Sequence, residues 1–351
     1  MEPFGTKEII VMKKKLLALA LAGVMTLSLA ACGGAKETPA PAEEKPAQTE
    51  TPAETPAAET YKIGICQLAP HPALDAATQG FIDALNEALP GQVEFDNQNA
   101  AGESATCATI VNGFVSAGVD LIMANATPAL QAAVAATSDI PVLGTSVTEY
   151  GVALGIKDFN GTVGTNVSGT SDLAPLDQQA AMIPEWFPEA KTVGLLYCSA
   201  EANSQYQVDT VQAELEKLGL KCTQYPFSDT NDMASVTQSA VDNSDVLYVP
   251  TDNTCANNAG IIDNIARPAG VPIIAGEEGI CGGCGVATLS ISYYDLGVAT
   301  GKMAAKILTG EADIAEMPIE YAPQFTKKCN EAICADLGLT VPAGYEVIAA
   351  E

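Results

Sequence analysis

A chain of 351 residues with 16 basic and 43 acidic side chains carries a formal charge of −27. Such a chain has no electrostatic hold on nucleic acid. It also repels anionic guests at long range, which favours a zwitterion or a cation as ligand.

The N-terminus has the pattern of an export signal. Lys13, Lys14 and Lys15 precede an apolar run from Leu16 to Leu29, and small residues follow up to Cys32. The run is shorter than the ~20 residues needed to span a bilayer. The Leu-Ala-Ala-Cys arrangement resembles a bacterial lipobox, which implies cleavage before Cys32 and lipid on that cysteine. Residues 1–31 are thus expected as a signal segment and residues 32–60 as a lipidated, disordered tether. The tether is Pro, Ala, Glu and Thr without a large apolar residue, so it cannot bury a core. At polyproline spacing it reaches about 80 Å. The expected location is extracytoplasmic, lipid-anchored to the cell membrane.

From Tyr61 onward the composition is globular and the length suits two domains. Tyr61–Cys66 reads as a strand with an exit loop at 67–75, and Ala76–Ala88 as a helix. A short strand at Gln92–Phe95 exits at Asn97, and a helix at Ala105–Ala117 ends near Gly118. Asp120–Ala124 is the third strand. Thr127 as N-cap with Pro128 at the first helical position starts the next helix. Ile140–Gly144 is the fourth strand, leading to Thr145–Glu149. From Asp158 to Gly169 turn residues are too dense for either element, which marks a crossover.

The alternation then restarts with a helix at Leu176–Trp186. Val193–Cys198 is an unbroken apolar run, as in a strand buried on both faces. Ser199–Ser204 is small and polar, and Tyr206, Val208, Val211 and Leu215 recur at helical spacing until Gly219. The same unit of strand, polar exit and helix recurs through Lys221–Pro226, Met233–Val241, Asp245–Val249 and Thr251–Ala266. Strands at Pro272–Ala275 and Val286–Ile291 follow. A helix at Leu296–Leu308, a short strand at Pro318–Tyr321 and a helix at Asn330–Leu337 close the chain. Regular alternation of this kind predicts α/β architecture with parallel sheets covered on both faces. In such sheets ligands sit beyond the carboxyl ends of the strands.

Ten cysteines are many. Cys66, Cys107, Cys198, Cys222 and Cys255 lie in or beside apolar runs, as buried thiols do. Zinc wants four ligands in one place. Against that stand one C-x-x-C at Cys281–Cys284, the pair Cys329 and Cys334, and a single distant histidine, His71. No metal site and no cofactor is expected. There is no G-x-S-x-G and no phosphate loop, so no enzyme is expected either.

Several segments together carry a family resemblance: HPALDAATQGF (71–81), ANATPALQAAV (124–134), IPVLGTSVTE (140–149), GTNVSGTSD (164–172), GLLYCSAEANSQ (194–205), YVPTDNT (248–254) and YYDLGVATGKMAAKILTGE (293–311). With them the chain resembles the solute-binding lipoproteins of bacterial ABC importers, in the branch of tryptophan- and tyrosine-binding receptors. The family's Asp-Pro pair is absent near Glu149-Tyr150. The resemblance implies a type I periplasmic-binding-protein fold, two α/β lobes joined by three crossovers. Lobe 1 would hold residues 61–163 plus 292–317, and lobe 2 residues 164–291 plus 318–351.

The function so implied is an importer's receptor for a small zwitterionic amino acid, aromatic or apolar, working with an ABC permease. A surface sensor or adhesin with the same pocket, or a receptor for a purine-like ligand, stands as the alternative. Helix N-termini and hydroxyls bind a carboxylate without arginine, which points to Thr127, Ser146, Asn203 and Ser204. Asp252 and Glu201 are the candidates for an ammonium, since a carboxylate directly after an apolar strand needs a partner. Asn253 and Glu278, at neighbouring strand exits, complete the set.

Overall fold

Apolar residues at successive positions of a strand point to opposite faces, so a run with no polar alternation must be covered on both sides. The computed structural model describes residues 60–348 and shows this arrangement twice. The signal segment, Cys32 and the tether to residue 59 lie outside the described residues.

The chain opens with β1 (Tyr61–Gln67), α1 (Pro72–Ala88), β2 (Val93–Asn99), α2 (Ser104–Ala117), β3 (Leu121–Asn125), α3 (Thr127–Ala136), β4 (Val142–Val147), α4 (Tyr150–Leu154) and β5 (Val167–Ser171). It continues with α5 (Leu176–Trp186), β6 (Thr192–Cys198), α6 (Ala202–Lys217), β7 (Lys221–Phe227), α7 (Thr230–Val241) and β8 (Val246–Val249). Then come α8 (Asn253–Asn257), α9 (Ala259–Ala269), β9 (Ile273–Ala275), α10 (Glu278–Cys284) and β10 (Ala287–Ser290). The closing elements are α11 (Tyr293–Leu308), a 3₁₀ turn at Ile314–Glu316, β11 (Glu320–Tyr321), β12 (Thr326–Cys329), α12 (Glu331–Asp336) and β13 (Glu346–Val347).

One sheet has the order β11-β5-β4-β3-β1-β2, and the other β13-β12-β10-β9-β8-β6-β7. Apart from the edge strands the two orders are the same, which makes the lobes repeats of one topology. Strand pairs are parallel except β10 with β12. In each sheet the order turns back between the first and third strands (β1 and β3, β6 and β8), and a crevice for ligand opens at such a switch point.

In lobe 1, Ile63, Ile65, Leu121 and Met123 face Phe81 of α1 and Met303 of α11. Their strand neighbours Cys66, Ile122 and Ala124 face Phe114 of α2 and Leu130 of α3. In lobe 2, Leu195, Tyr197 and Tyr248 pack on Ile183 and Val211, while Leu196, Leu247 and Val249 pack on Met233 and Ile262. Each such fully buried side chain contributes about 1.5–3 kcal/mol of burial. Helix α11 lies along α1 so closely that a Cβ on Gly297 would stand 2.0 Å from the Ala77 carbonyl oxygen, and one on Gly80 2.1 Å from that of Tyr294. Only glycine fits at these two positions.

The sheets correct the expected lobe boundaries. Val167–Ser171 pairs with β4 and belongs to the first sheet, so the first crossing is at 172–175 rather than between 163 and 164. The density of Ser, Gly and Thr hides this strand, yet all five residues are buried. Thr145, Thr170 and Thr300 satisfy one another there in a hydroxyl chain of 3.1 and 2.8 Å. Likewise β11 pairs with β5, which moves the last crossing from 317/318 to 322–325. The second crossing lies at 291–292. Helix α1 starts at Pro72 rather than Ala76, and Ala126, not Thr127, occupies the N-cap position of α3, without a side-chain cap.

Candidate functional site

The exits of β1, β3, β4 and β5 line one edge of lobe 1. Gln67, at the end of β1, donates to Ala69 O at 2.8 Å and to the Asp75 carboxylate at 2.6 Å. It also accepts from the Thr78 hydroxyl at 2.7 Å. Asn125, at the end of β3, donates to Leu74 O and to Thr78. This network holds the first turn of α1. His71 stands immediately before it, between Pro70 and Pro72, with 7 % of its surface exposed and neither ring nitrogen bonded. Burial pushes its pKa down, against the opposing pull of the neighbouring Asn253 side chain first, then of the Asp75 and Glu201 charges.

Asn125 and Thr145 are paired across β3 and β4, so the next residues, Ala126 and Ser146, stand side by side. Both are held at positive φ, 92° and 52°. Left-handed backbone at non-glycine residues clusters at ligand sites, where surrounding structure sustains the strain. The Ser146 hydroxyl is buried without a partner, as is the Asn125 carbonyl oxygen. Beyond β5, Asp172 is 4 % exposed. Its Oδ2 accepts from the Tyr293 hydroxyl at 3.0 Å, while Oδ1 has no partner. Burial pushes this carboxyl up to about 6, against the opposing pull of the Thr148 and Tyr293 hydroxyls beside it.

The exits of β6, β8 and β9 form the facing edge of lobe 2. Asp252 accepts from the backbone N–H of Cys198 at 2.7 Å and of Cys255 at 2.8 Å. It thereby ties two strand exits together and caps α8. Burial, reinforced by Glu201, raises its pKa to about 7. Glu201 accepts from the backbone and side chain of Asn253, at 3.0 and 2.7 Å, and from those of Thr254, at 2.8 and 2.7 Å. Glu277 caps α10 through the N–H groups of Gly279 and Ile280, and burial raises it to about 7. Asn203 donates to Thr251 O at 3.1 Å, and its own carbonyl oxygen is unpartnered.

The edges meet around a cavity of about 10 Å³ lined by His71, Leu74, Asp172, Thr251, Asp252, Asn253, Ala256, Glu277 and Tyr293. That is room for one water-sized group. A larger chamber of about 1320 Å³ opens beside it and shares Ala256, Glu277 and Tyr293 with it. Three carboxylates line the small cavity, with no lysine or arginine among its lining residues. The carboxylates differ in availability. Asp252, Glu201 and Glu277 are engaged by backbone donors, whereas Asp172 keeps a free oxygen. Buried polar atoms are nearly always bonded, yet atoms of Asn125, Ser146, Asp172 and Asn203 stand without a hydrogen-bond partner at the two facing edges.

Of the residues singled out from sequence, Asp252 and Asn253 line the cavity. Ser146 and Asn203 present free atoms at the facing edges. Thr127 opens α3 beside Ser146. Ser204 accepts from Asn203 at 3.3 Å. Glu278 turns away into the side chamber, where it pairs with Lys328 at 2.6 Å. Sequence reasoning passed over His71, Asp172, Glu277 and Tyr293. Asp172 carries the same signal that singled out Asp252, a carboxylate directly after a buried strand, but its strand went unread. The nine described cysteines are free, and all but Cys222 are buried.

Two parallel sheets whose carboxyl edges meet over a polar cavity define a two-lobed receptor for a small ligand. The chain belongs to the ABC transporter substrate binding protein family, which matches residues 62–351. It is 35 % identical over 310 residues to a tyrosine-binding protein of Clostridioides difficile (strain R20291), covering 87 % of each. Among solved structures it is similar to an ABC domain of Streptococcus pneumoniae in complex with L-Trp, at 34 % identity and TM-score 0.78, covering 83 % of this chain and 100 % of that one. The ligand-free, open form of a Clostridium difficile substrate binding protein with adhesive properties is 37 % identical over the same shares, at TM-score 0.65. The overlap is poorer with the open relative despite its higher identity.

Proposed function

We propose that this chain is the receptor of an ABC importer for a free amino acid with an aromatic or apolar side chain, bound between its lobes. The observation that carries this reading is Asp172, a buried carboxylate at the crossing between lobes with one oxygen unpartnered beside the cavity. An ammonium there gains a charge-assisted hydrogen bond. The amino-acid carboxylate falls to the neutral donors of lobe 1, the Ser146 hydroxyl and the N-terminus of α3 at Thr127, where the helix dipole favours negative charge. Asp252 and Glu201 then act indirectly, by fixing the lobe 2 edge against which the guest closes. The relatives' tryptophan and tyrosine support the ligand class.

A cavity of one water's volume admits an amino acid only if the lobes separate, so binding proceeds by opening at the three crossings and reclosure. Lipid on Cys32 and the tether behind it hold the receptor at the membrane face, within reach of a permease. No described helix is long and apolar enough to cross a membrane itself. Titration calorimetry of the protein with tryptophan and with tyrosine tests the reading. Saturable one-to-one binding of either is expected; binding of neither removes the aromatic assignment, and failure of leucine and valine as well removes the amino-acid one.

A further inference from the structure

Resting on that reading, the charge distribution in the cleft says which part of the guest is recognised. Asp172, Asp252 and Glu277 line the cavity, Glu201 stands behind Asn253 and Thr254, and Asp75 is held below His71 by Gln67. No lysine or arginine lines the cavity among the described residues. The basic side chains of the adjoining chamber are already paired, Lys328 with Glu278 and Arg267 with Asp263 and Asp336. A guest's carboxylate therefore meets only neutral donors, in a field set by converging carboxylates. Its ammonium meets a buried carboxylate with an oxygen free. The unpartnered Oδ1 of Asp172, in a carboxylate more than nine-tenths buried, fixes the polar end of the guest at this cavity.

We propose that the cleft selects for the protonated amine and not for the α-carboxylate, so that aromatic monoamines are ligands of this receptor alongside the amino acids. The field of a strongly acidic protein reinforces the choice. A zwitterion carries no net charge and is not drawn in by that field, whereas a monoamine is a net cation and is. Loss of the α-carboxylate removes hydrogen bonds to uncharged groups and with them its repulsion by the acidic wall. Loss of the amine leaves Asp172 buried and unpaired.

Calorimetry with three matched probes decides the matter: tyrosine, tyramine, and 3-(4-hydroxyphenyl)propionate, with the tryptophan series in parallel. Tyramine or tryptamine is expected to bind within about tenfold of the corresponding amino acid, a difference of about 1.4 kcal/mol. The amine's affinity is expected to fall more steeply with salt. The propionates are expected not to bind. Amino acids binding while both amines bind more than about a hundredfold more weakly overturns the inference and leaves the receptor reading intact. Binding of a propionate overturns it as well. Binding of amines but of no amino acid sustains the inference and removes the amino-acid assignment. Failure of amino acids and amines alike removes both. As a control within the site, Asp172→Asn is expected to weaken tyramine at least about tenfold, and an unchanged affinity refutes the role given to that oxygen.

Discussion

Replacing Asp172 by asparagine is expected to weaken the ligand complex while strengthening the empty fold, and the two effects have one cause. Burial raises this carboxyl from 3.8 to about 6. At 1.36 kcal/mol per pH unit, holding it ionised at neutral pH costs the ligand-free fold about 3 kcal/mol. A carboxyl whose folded pKa is raised stabilises most when protonated. Its favourable contribution is complete below the unfolded value near 3.9 and is lost as pH rises through about 6. Asparagine is never ionised and keeps an acceptor for the Tyr293 hydroxyl, so the ligand-free variant should outlast the parent above pH 6. The two should converge near pH 4. In the complex the balance reverses. An ammonium bonded to the carboxylate is worth about 1.5–3 kcal/mol, so the variant should bind about ten- to 150-fold more weakly. Urea midpoints of both proteins at pH 8 and pH 4, with calorimetry of tyrosine and tryptophan at pH 8, provide the assay. Equal dissociation constants at pH 8, or a stability difference that does not change with pH, would rule out an ionised Asp172 as the ammonium's partner.

Glu201→Gln keeps size but loses the charge that receives four donors at the start of α8. It should lower the urea midpoint by an amount equivalent to about 1–3 kcal/mol, and an unaltered midpoint would show the loop to be held otherwise. Asp252→Asn, at the residue that bridges the Cys198 and Cys255 N–H groups, should move stability more than intrinsic ligand affinity, whereas at Asp172 both move. Small-angle scattering should show contraction when tyrosine or tryptophan is added, if the empty receptor rests open; a constant radius of gyration would mean that it is already closed without ligand or that its lobes do not move. Cys32→Ala should leave an unlipidated precursor, and normal membrane-bound lipoprotein from that variant would exclude the lipobox reading.

The repeating units were legible where strands are made of large apolar residues. Val193–Cys198 with α6 behind it, and β1 with α1, follow from period and composition alone. Strand β5 was not, because Val-Ser-Gly-Thr-Ser has one large apolar side chain. Its burial depends on hydroxyl partners, Thr145 and Thr300, that lie 25 and 130 residues away. Helix α10 escaped for a related reason, five of its seven residues being glycine or cysteine, with the helix held at its start by the Glu277 cap. At the site, reasoning from residue type found that a carboxylate after an apolar strand needs a partner. It had no means of telling that Asp252 finds backbone N–H groups while Asp172 is left with a free oxygen. Tyr293 joins Asp172 across 121 residues, a separation no local pattern spans.

The late return of the chain to its first lobe has a bearing on how the molecule is made. Helix α11 covers the α1 face of lobe 1, with Gly297 and Gly80 admitting the close approach, and β11 extends the sheet beyond β5. Both are translated only after nearly all of lobe 2. A nascent chain therefore holds five strands of its first sheet with the part of the α1 face that Met303 and Ala304 of α11 will cover still open while more than a hundred further residues emerge. Lobe 2 lacks only its edge strands and α12 at that stage, so it is placed to reach a native core at the same time as the lobe that precedes it. Contacts of such long sequence separation form slowly, and uncovered apolar surface invites association with other chains. A receptor of this topology depends on being kept apart from its neighbours until its last fifth has arrived.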